Sequence, residues 1–93
     1  MRAVLCKEFG PPESLVVEEV PDPQPGPGQV LVNVAAAGVN FPDVLVIENK
    51  YQFKPPLPFT PGGEISGTVA ALGDGVTDLA VGDRILASTG IGA

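Results

Sequence analysis

Apolar and polar residues alternate along much of this chain in short runs, each broken by glycine or proline within about ten positions. Met1–Lys7 reads as a first strand, with Val4 and Cys6 on one face and Ala3 and Leu5 on the other, broken by Gly10-Pro11-Pro12. Leu15–Val20, β-branched and closed by Pro21, reads as a second, and the two predict a hairpin about a tight Gly-Pro turn. Pro21–Gly28 (PDPQPGPG) predicts a stiff, extended surface connection, since only twenty residues precede it and they cannot form a separate domain. In Gln29–Gly38, Val30, Val32 and Val34 alternate against Leu31, Asn33 and Ala35, the clearest strand in the sequence. Its small-residue end, Ala35-Ala36-Ala37-Gly38, admits close approach of backbone or ligand.

Asn40-Phe41-Pro42-Asp43 predicts a helix start, with a capping side chain, a proline in the first turn and an acid at the positive end of the dipole. Val44–Glu48 continues it for one or two turns, and Asn49 closes it. Lys50–Thr60 is irregular and carries Tyr51, Phe53 and Phe59 among prolines. Glu64–Leu72 predicts a further strand in which Gly67 marks a bend or bulge. Turns at Gly73-Asp74-Gly75 and Val81-Gly82-Asp83 frame a last strand over Arg84–Ser88. Short strands with dense turn punctuation and one short helix predict a mostly β domain, a small barrel or sandwich. The tail Gly90-Ile91-Gly92-Ala93 carries no closing element, so a domain truncated at its C-terminal end is expected.

Composition narrows what such a domain does. With 93 residues there is room for one domain, taken as residues 1–93. Twelve glycines and eleven prolines alone would favour disorder, but Val, Leu, Ile and Phe supply 29 residues, enough aliphatic surface to close a core. The net charge of −6 and the scattered cations Arg2, Lys7, Lys50, Lys54 and Arg84 provide no clustered positive surface, so neither nucleic acid nor an anionic membrane is an expected partner. Apolar runs such as Val44–Ile47 fall far below the roughly 20 residues of a spanning helix. There is no signal-peptide core, no histidine and one cysteine, Cys6, which reads as a small buried hydrophobe. These features exclude a His/Cys zinc site and predict a reducing, cytoplasmic compartment.

The stretch MRAVLCKEFGPPESLVVEEVPDPQPGPGQVLVNVAAAGVNFPDVL, followed by PGGEISGTVAALGDGVTDLAVGDRI, resembles the N-terminal part of medium-chain dehydrogenase/reductases, over essentially the whole chain and in order. The resemblance runs to the zinc-free NADPH:quinone oxidoreductase branch related to zeta-crystallin. It implies a GroES-like, partly open β-barrel with one short helix, normally followed by a Rossmann domain that binds the nicotinamide cofactor. Zinc-dependent members carry a cysteine and a histidine where this chain reads Asn40, in Gly38-Val39-Asn40, and Gly63, in Pro61-Gly62-Gly63-Glu64. The resemblance therefore implies no metal ligands, and hydride transfer from NADPH to a quinone, enone or other activated double bond. No G-x-G-x-x-G motif occurs and no βαβ unit fits, so the Rossmann domain is absent from this chain, which is expected neither to bind NADPH tightly nor to turn over quinone alone.

Several residues carry two readings each. Asn40 serves either as a helix cap or, by the resemblance, as a hydrogen-bonding group at the mouth of the substrate and nicotinamide cleft. Tyr51 either faces the nicotinamide and a quinone oxygen, as the resemblance implies, or packs under its loop with a wet hydroxyl. Phe41, Phe53 and Phe59 suit a flat apolar substrate or ordinary loop packing, with Phe41 carried to the cleft beside Asn40 and Tyr51. Asp43 reads as a dipole-stabilising acid, and Gly62, Gly63 and Glu64 as a structural cleft wall, because a lone carboxylate lacks a catalytic partner. Two further readings stand beside the oxidoreductase: a stand-alone GroES-like binding or assembly module, and a homodimer or other self-association through open strand edges.

Overall fold

In the computed structural model, which describes residues 1–92, the chain forms two small antiparallel sheets and one helix. Ala93, the last residue of the glycine-rich tail, lies outside the described residues. Strand β1 (Arg2–Leu5) pairs with β2 (Val16–Glu19), from Arg2 opposite Glu19 to Leu5 opposite Val16. The predicted hairpin is present but its tight turn is not. The connection spans residues 6–15 and contains a 3₁₀ turn at Pro12–Ser14, closed by the Ser14 Oγ donating to the Pro11 carbonyl at 2.7 Å. Proline at 11 and 12 fixes φ near −65°, which favours such a helical turn over the positive φ that two-residue hairpin turns need.

The second sheet has the order β3 (Val30–Gly38), β4 (Glu64–Leu72), β5 (Arg84–Ser88). The β3–β4 ladder runs from Val30 opposite Leu72 to Gly38 opposite Glu64 and slips register at Leu31/Val32 and again at Val34/Ala36. The irregularity expected at Gly67 thus falls on the facing strand, where Ala35 is the unpaired residue. Gly67 itself is required because a Cβ there would collide with the carbonyl oxygen of Asn33. Between β3 and β4 lies α1 (Phe41–Ile47), which ends as Asn49 adopts a left-handed conformation with φ 59°. Lys54 Nζ donates to the Asn49 carbonyl and to Asn49 Oδ1, the latter at 2.8 Å, beside the negative end of the helix.

Packing between regular elements is confined to each sheet, and the sheets are joined through loops. Cys6 leaves β1 to exchange backbone hydrogen bonds with Phe59, at 2.7 and 3.2 Å, and the Gly10 N–H donates to the Ile47 carbonyl at 2.9 Å. Around this junction Cys6, Ile47 and Phe59 are buried, with Leu15, Val46 and Ile91 packed against them. Cys6 is only 1% exposed while Val4 stays exposed, so the face these two were expected to share is broken where the strand ends. Phe59 belongs to this core, with its ring centroid 6.5 Å from that of Phe9.

The result is open. Its accessible surface of 6155 Å² compares with roughly 5,000 Å² for a folded monomer of this mass. The radius of gyration is 14.0 Å, against about 12 Å for a compact chain of this length. A core this small makes each buried side chain count. Ile47→Ala is expected to cost about 2–4 kcal/mol, read as a lower urea midpoint at unchanged slope. Burial, with the Glu8 carboxylate adding to it, pushes the Cys6 thiol above its ordinary range. We expect Cys6 to resist alkylation in the native chain and to react once urea unfolds it; rapid labelling of folded chain would contradict the packing described.

Candidate functional site

The local chain path builds the site at the end of β3. Small side chains at Ala35–Gly38 leave the strand exposed on both faces, and Gly38 lets two polar groups converge on it. A Cβ at Gly38 would sit 3.3 Å from Glu64 Oε2 and 3.8 Å from Asn40 Nδ2. Glu64 is brought there by its cross-strand pairing with Gly38, and Asn40 by the start of α1.

Asp43 anchors that helix start. Its Oδ2 accepts the Asn40 N–H at 2.8 Å, and its own N–H donates to the Asn40 carbonyl at 3.1 Å. A carboxylate in the first turn thereby satisfies an otherwise free backbone donor and opposes the dipole's positive end. Asn40 is the N-cap, as the sequence predicts, and the cap is reciprocal, because the Asp43 carboxylate three residues on closes back onto the Asn40 backbone.

Between the two sheets runs a groove of about 1000 Å³. Near α1 it is walled by Gly38, Val39, Asp43, Val44 and Gly62, and its floor carries Ala37, Ile65 and Ala87 side by side across β3, β4 and β5. Of the residues singled out in the sequence, Asp43 and Gly62 line this groove. Asn40 and Glu64 flank Gly38 and lie outside its lining, as do Gly63 and Tyr51. Tyr51 is half-buried, and the Phe41 ring is 75% exposed at the rim. Residues that the sequence pattern did not single out are Val39, Val44 and Thr60, which the groove draws from just before α1, the helix itself and the loop before β4. Alternation within a strand carries no signal for such contacts.

The site's charge is simple. Asp43 is the one ionised side chain lining the α1 end, and the groove's only lining guanidinium, Arg2, belongs to the far end of β1, about 13 Å of extended chain from the Cys6 junction. Among the described residues no three Cys, Asp or Glu side chains converge as a metal set requires. A Cβ at Gly63 would meet the Gly90 carbonyl oxygen at 3.1 Å, so a larger side chain there would displace the Gly90 turn.

Residues 26–92 match the alcohol dehydrogenase GroES-like domain, and the chain belongs to that family. Its relatives include quinone oxidoreductase-like members of the medium-chain dehydrogenase/reductase superfamily. The quinone oxidoreductase-like protein 2 homolog of Nematostella vectensis is 50% identical over 92 residues, covering 98% of this chain and 25% of that protein. The crystal structure of the human synaptic vesicle membrane protein VAT-1 homolog-like protein superposes with a TM-score of 0.94 at 38% identity, over 100% of this chain and 30% of that one. Escherichia coli quinone oxidoreductase, solved in complex with NADPH, superposes with a TM-score of 0.89 at 29% identity, over 96% of this chain and 27% of that one. The chain spans about a quarter of the length of the curated relatives it matches.

The cap geometry is directly testable. Asp43→Ala removes the acceptor of the Asn40 N–H and is expected to lower stability by about 1 kcal/mol in urea unfolding, whereas Glu64→Ala, which breaks no hydrogen bond, is expected to change it by less than about 0.5 kcal/mol.

Proposed function

We propose that this chain is the catalytic-domain portion of an NADPH-dependent quinone oxidoreductase, one that transfers hydride to a quinone or other activated double bond without zinc. The observation that carries the reading is the α1 end of the groove: apolar walls at Val39, Val44 and Ile65, one carboxylate already committed to backbone, and Asn40 at the rim. A flat, uncharged acceptor suits such walls, with few polar groups to orient it. The similarity to an oxidoreductase solved with NADPH supports the same assignment.

The donor set does not fit a resident zinc ion. The positions that hold cysteine and histidine in zinc-dependent members are Asn40 and Gly63, and the one thiol is buried at the Cys6 junction. The dinucleotide fits in part. Its uncharged nicotinamide end matches the apolar groove, but its phosphates find no helix N-terminus here, because Asp43 occupies the only one among the described residues. When bound, the cofactor supplies the hydride. The chain's own residues bind and orient: Asn40 offers an amide donor and acceptor to a carbonyl oxygen at the rim, and Phe41 and Tyr51, outside the groove's lining, offer aromatic surface beyond it. Glu64 and the Gly62-Gly63 turn hold the opposite edge in place. Val44, half-buried in the groove wall, helps to exclude water from the reacting pair.

Titrating the labelled chain with NADPH and with duroquinone, and following amide shifts by two-dimensional NMR, tests the assignment. Shifts are expected to gather at Gly38–Val44, Tyr51 and Gly62–Glu64, weakly for NADPH, with no NADPH oxidation above a protein-free blank. A dispersed spectrum that neither compound moves overturns the cleft assignment. Turnover well above the blank overturns the expectation that this portion is inactive alone.

A further inference from the structure

The carbonyls of the last turn of α1 are taken up one after another. The Glu48 N–H donates to the Val44 carbonyl at 3.2 Å, the Lys50 N–H to Leu45 at 2.8 Å and the Asn49 N–H to Val46 at 3.1 Å, while Ile47 accepts the Gly10 N–H. With Asn49 left-handed, the Lys50 and Asn49 bonds form the paired closure of a Schellman motif. Beyond that closure the support thins. Among the described residues, the backbone from Tyr51 to Pro58 neither donates nor accepts a backbone hydrogen bond, until Phe59 meets Cys6.

The tie that crosses this stretch is a side chain. The Lys54 ammonium donates to the Asn49 carbonyl at 3.2 Å and to Asn49 Oδ1 at 2.8 Å. Tyr51, Gln52 and Phe53 are thereby enclosed between the helix end and Lys54, which is followed by the buried Pro55. Asn49 is suited to its half of the clamp. A glycine would adopt the same left-handed backbone, but only an asparagine or aspartate also sets a side-chain oxygen beside its own carbonyl. A cation suits the other half, because its charge lies at the negative end of the helix and reaches both oxygens at once. Lys50 does not share the task, since its ammonium is turned to Glu48 at 3.9 Å.

We infer that Lys54 is a positioning residue for the acceptor site: by holding both oxygens of Asn49 it fixes Tyr51 relative to α1, and so relative to Asn40 at the other end of the helix. This rests on the cleft assignment proposed above. The seven residues of α1 form a strut of about 10 Å, so the place of Tyr51 depends on the loop that follows it. With the clamp closed, the loop is ordered before an acceptor arrives; with it open, binding has to order the loop as well.

Tyr51 is the single tyrosine and the chain has no tryptophan, so intrinsic fluorescence reads this loop directly. In the full chain, Lys54→Met is expected to speed the local decay of Tyr51 anisotropy at least about twofold and to weaken duroquinone binding, followed by amide shifts, about fivefold or more. Lys54→Arg, which still donates to both oxygens, is expected to restore both properties. Asn49→Gly keeps the backbone conformation and the carbonyl but loses Oδ1. It is expected to fall between, and to add little when combined with Lys54→Met. Because Lys54 is exposed, the amides of Cys6, Gly10 and Phe59 are expected to stay in place in each variant, which separates release of the loop from loss of the fold. Lys54→Met chain in which Tyr51 is as rigid as before, or which binds duroquinone as tightly as the unaltered chain, overturns the inference alone. An unaltered chain that does not bind duroquinone overturns the cleft assignment, and the inference with it.

Discussion

The junction between Cys6 and Phe59 is the constraint on which the arrangement depends. The two sheets share no extensive packing of strand on strand, and only loops and α1 relate one to the other. Two backbone hydrogen bonds, the Gly10 to Ile47 bond and a cluster built on Cys6, Ile47 and Phe59 fix that relation. Because Ile47 is the last residue of α1, the same cluster sets how far the helix stands from β1. The helix in turn sets where Asn40 and Asp43 meet the end of β3. A few buried side chains thus govern the width of the groove.

That economy has a physical consequence. A chain this short hides a smaller share of its surface than a larger domain does, and this one buries less than its size allows. The excess lies along β3, the groove and β5, where apolar side chains such as Val34, Val39 and Leu86 face outward.

Polar groups at the site are held by backbone more than by one another. Asp43 is committed to the Asn40 N–H, and Glu64 is placed by strand register opposite Gly38. The arrangement favours positioning over acid–base work, since among the described residues neither carboxylate forms an ion pair or joins a cluster of acids. Hydride chemistry needs little else from the protein than orientation and exclusion of water.

The strands at Val30–Gly38, Glu64–Leu72 and Arg84–Ser88, and the helix bounded by Asn40 and Asn49, were legible from period and punctuation, because each is specified by residues within a few positions of itself. Of the groups that the resemblance assigned to the cleft, Asp43 and Gly62 line the groove, whereas Asn40 and Tyr51 lie outside its lining. What local pattern could not supply was the long connection between β1 and β2, where proline stereochemistry favoured a 3₁₀ turn over a tight one. Nor could it show that Phe59 serves the core instead of a pocket, or that the bulge near Gly67 lies on β3. Those outcomes depend on which distant segment arrives beside a residue. The sequence by itself determined the elements and the chemical inventory; only the tertiary structure decided which faces are buried and which side chains share the groove, because contacts across the chain carry no periodic signature along it.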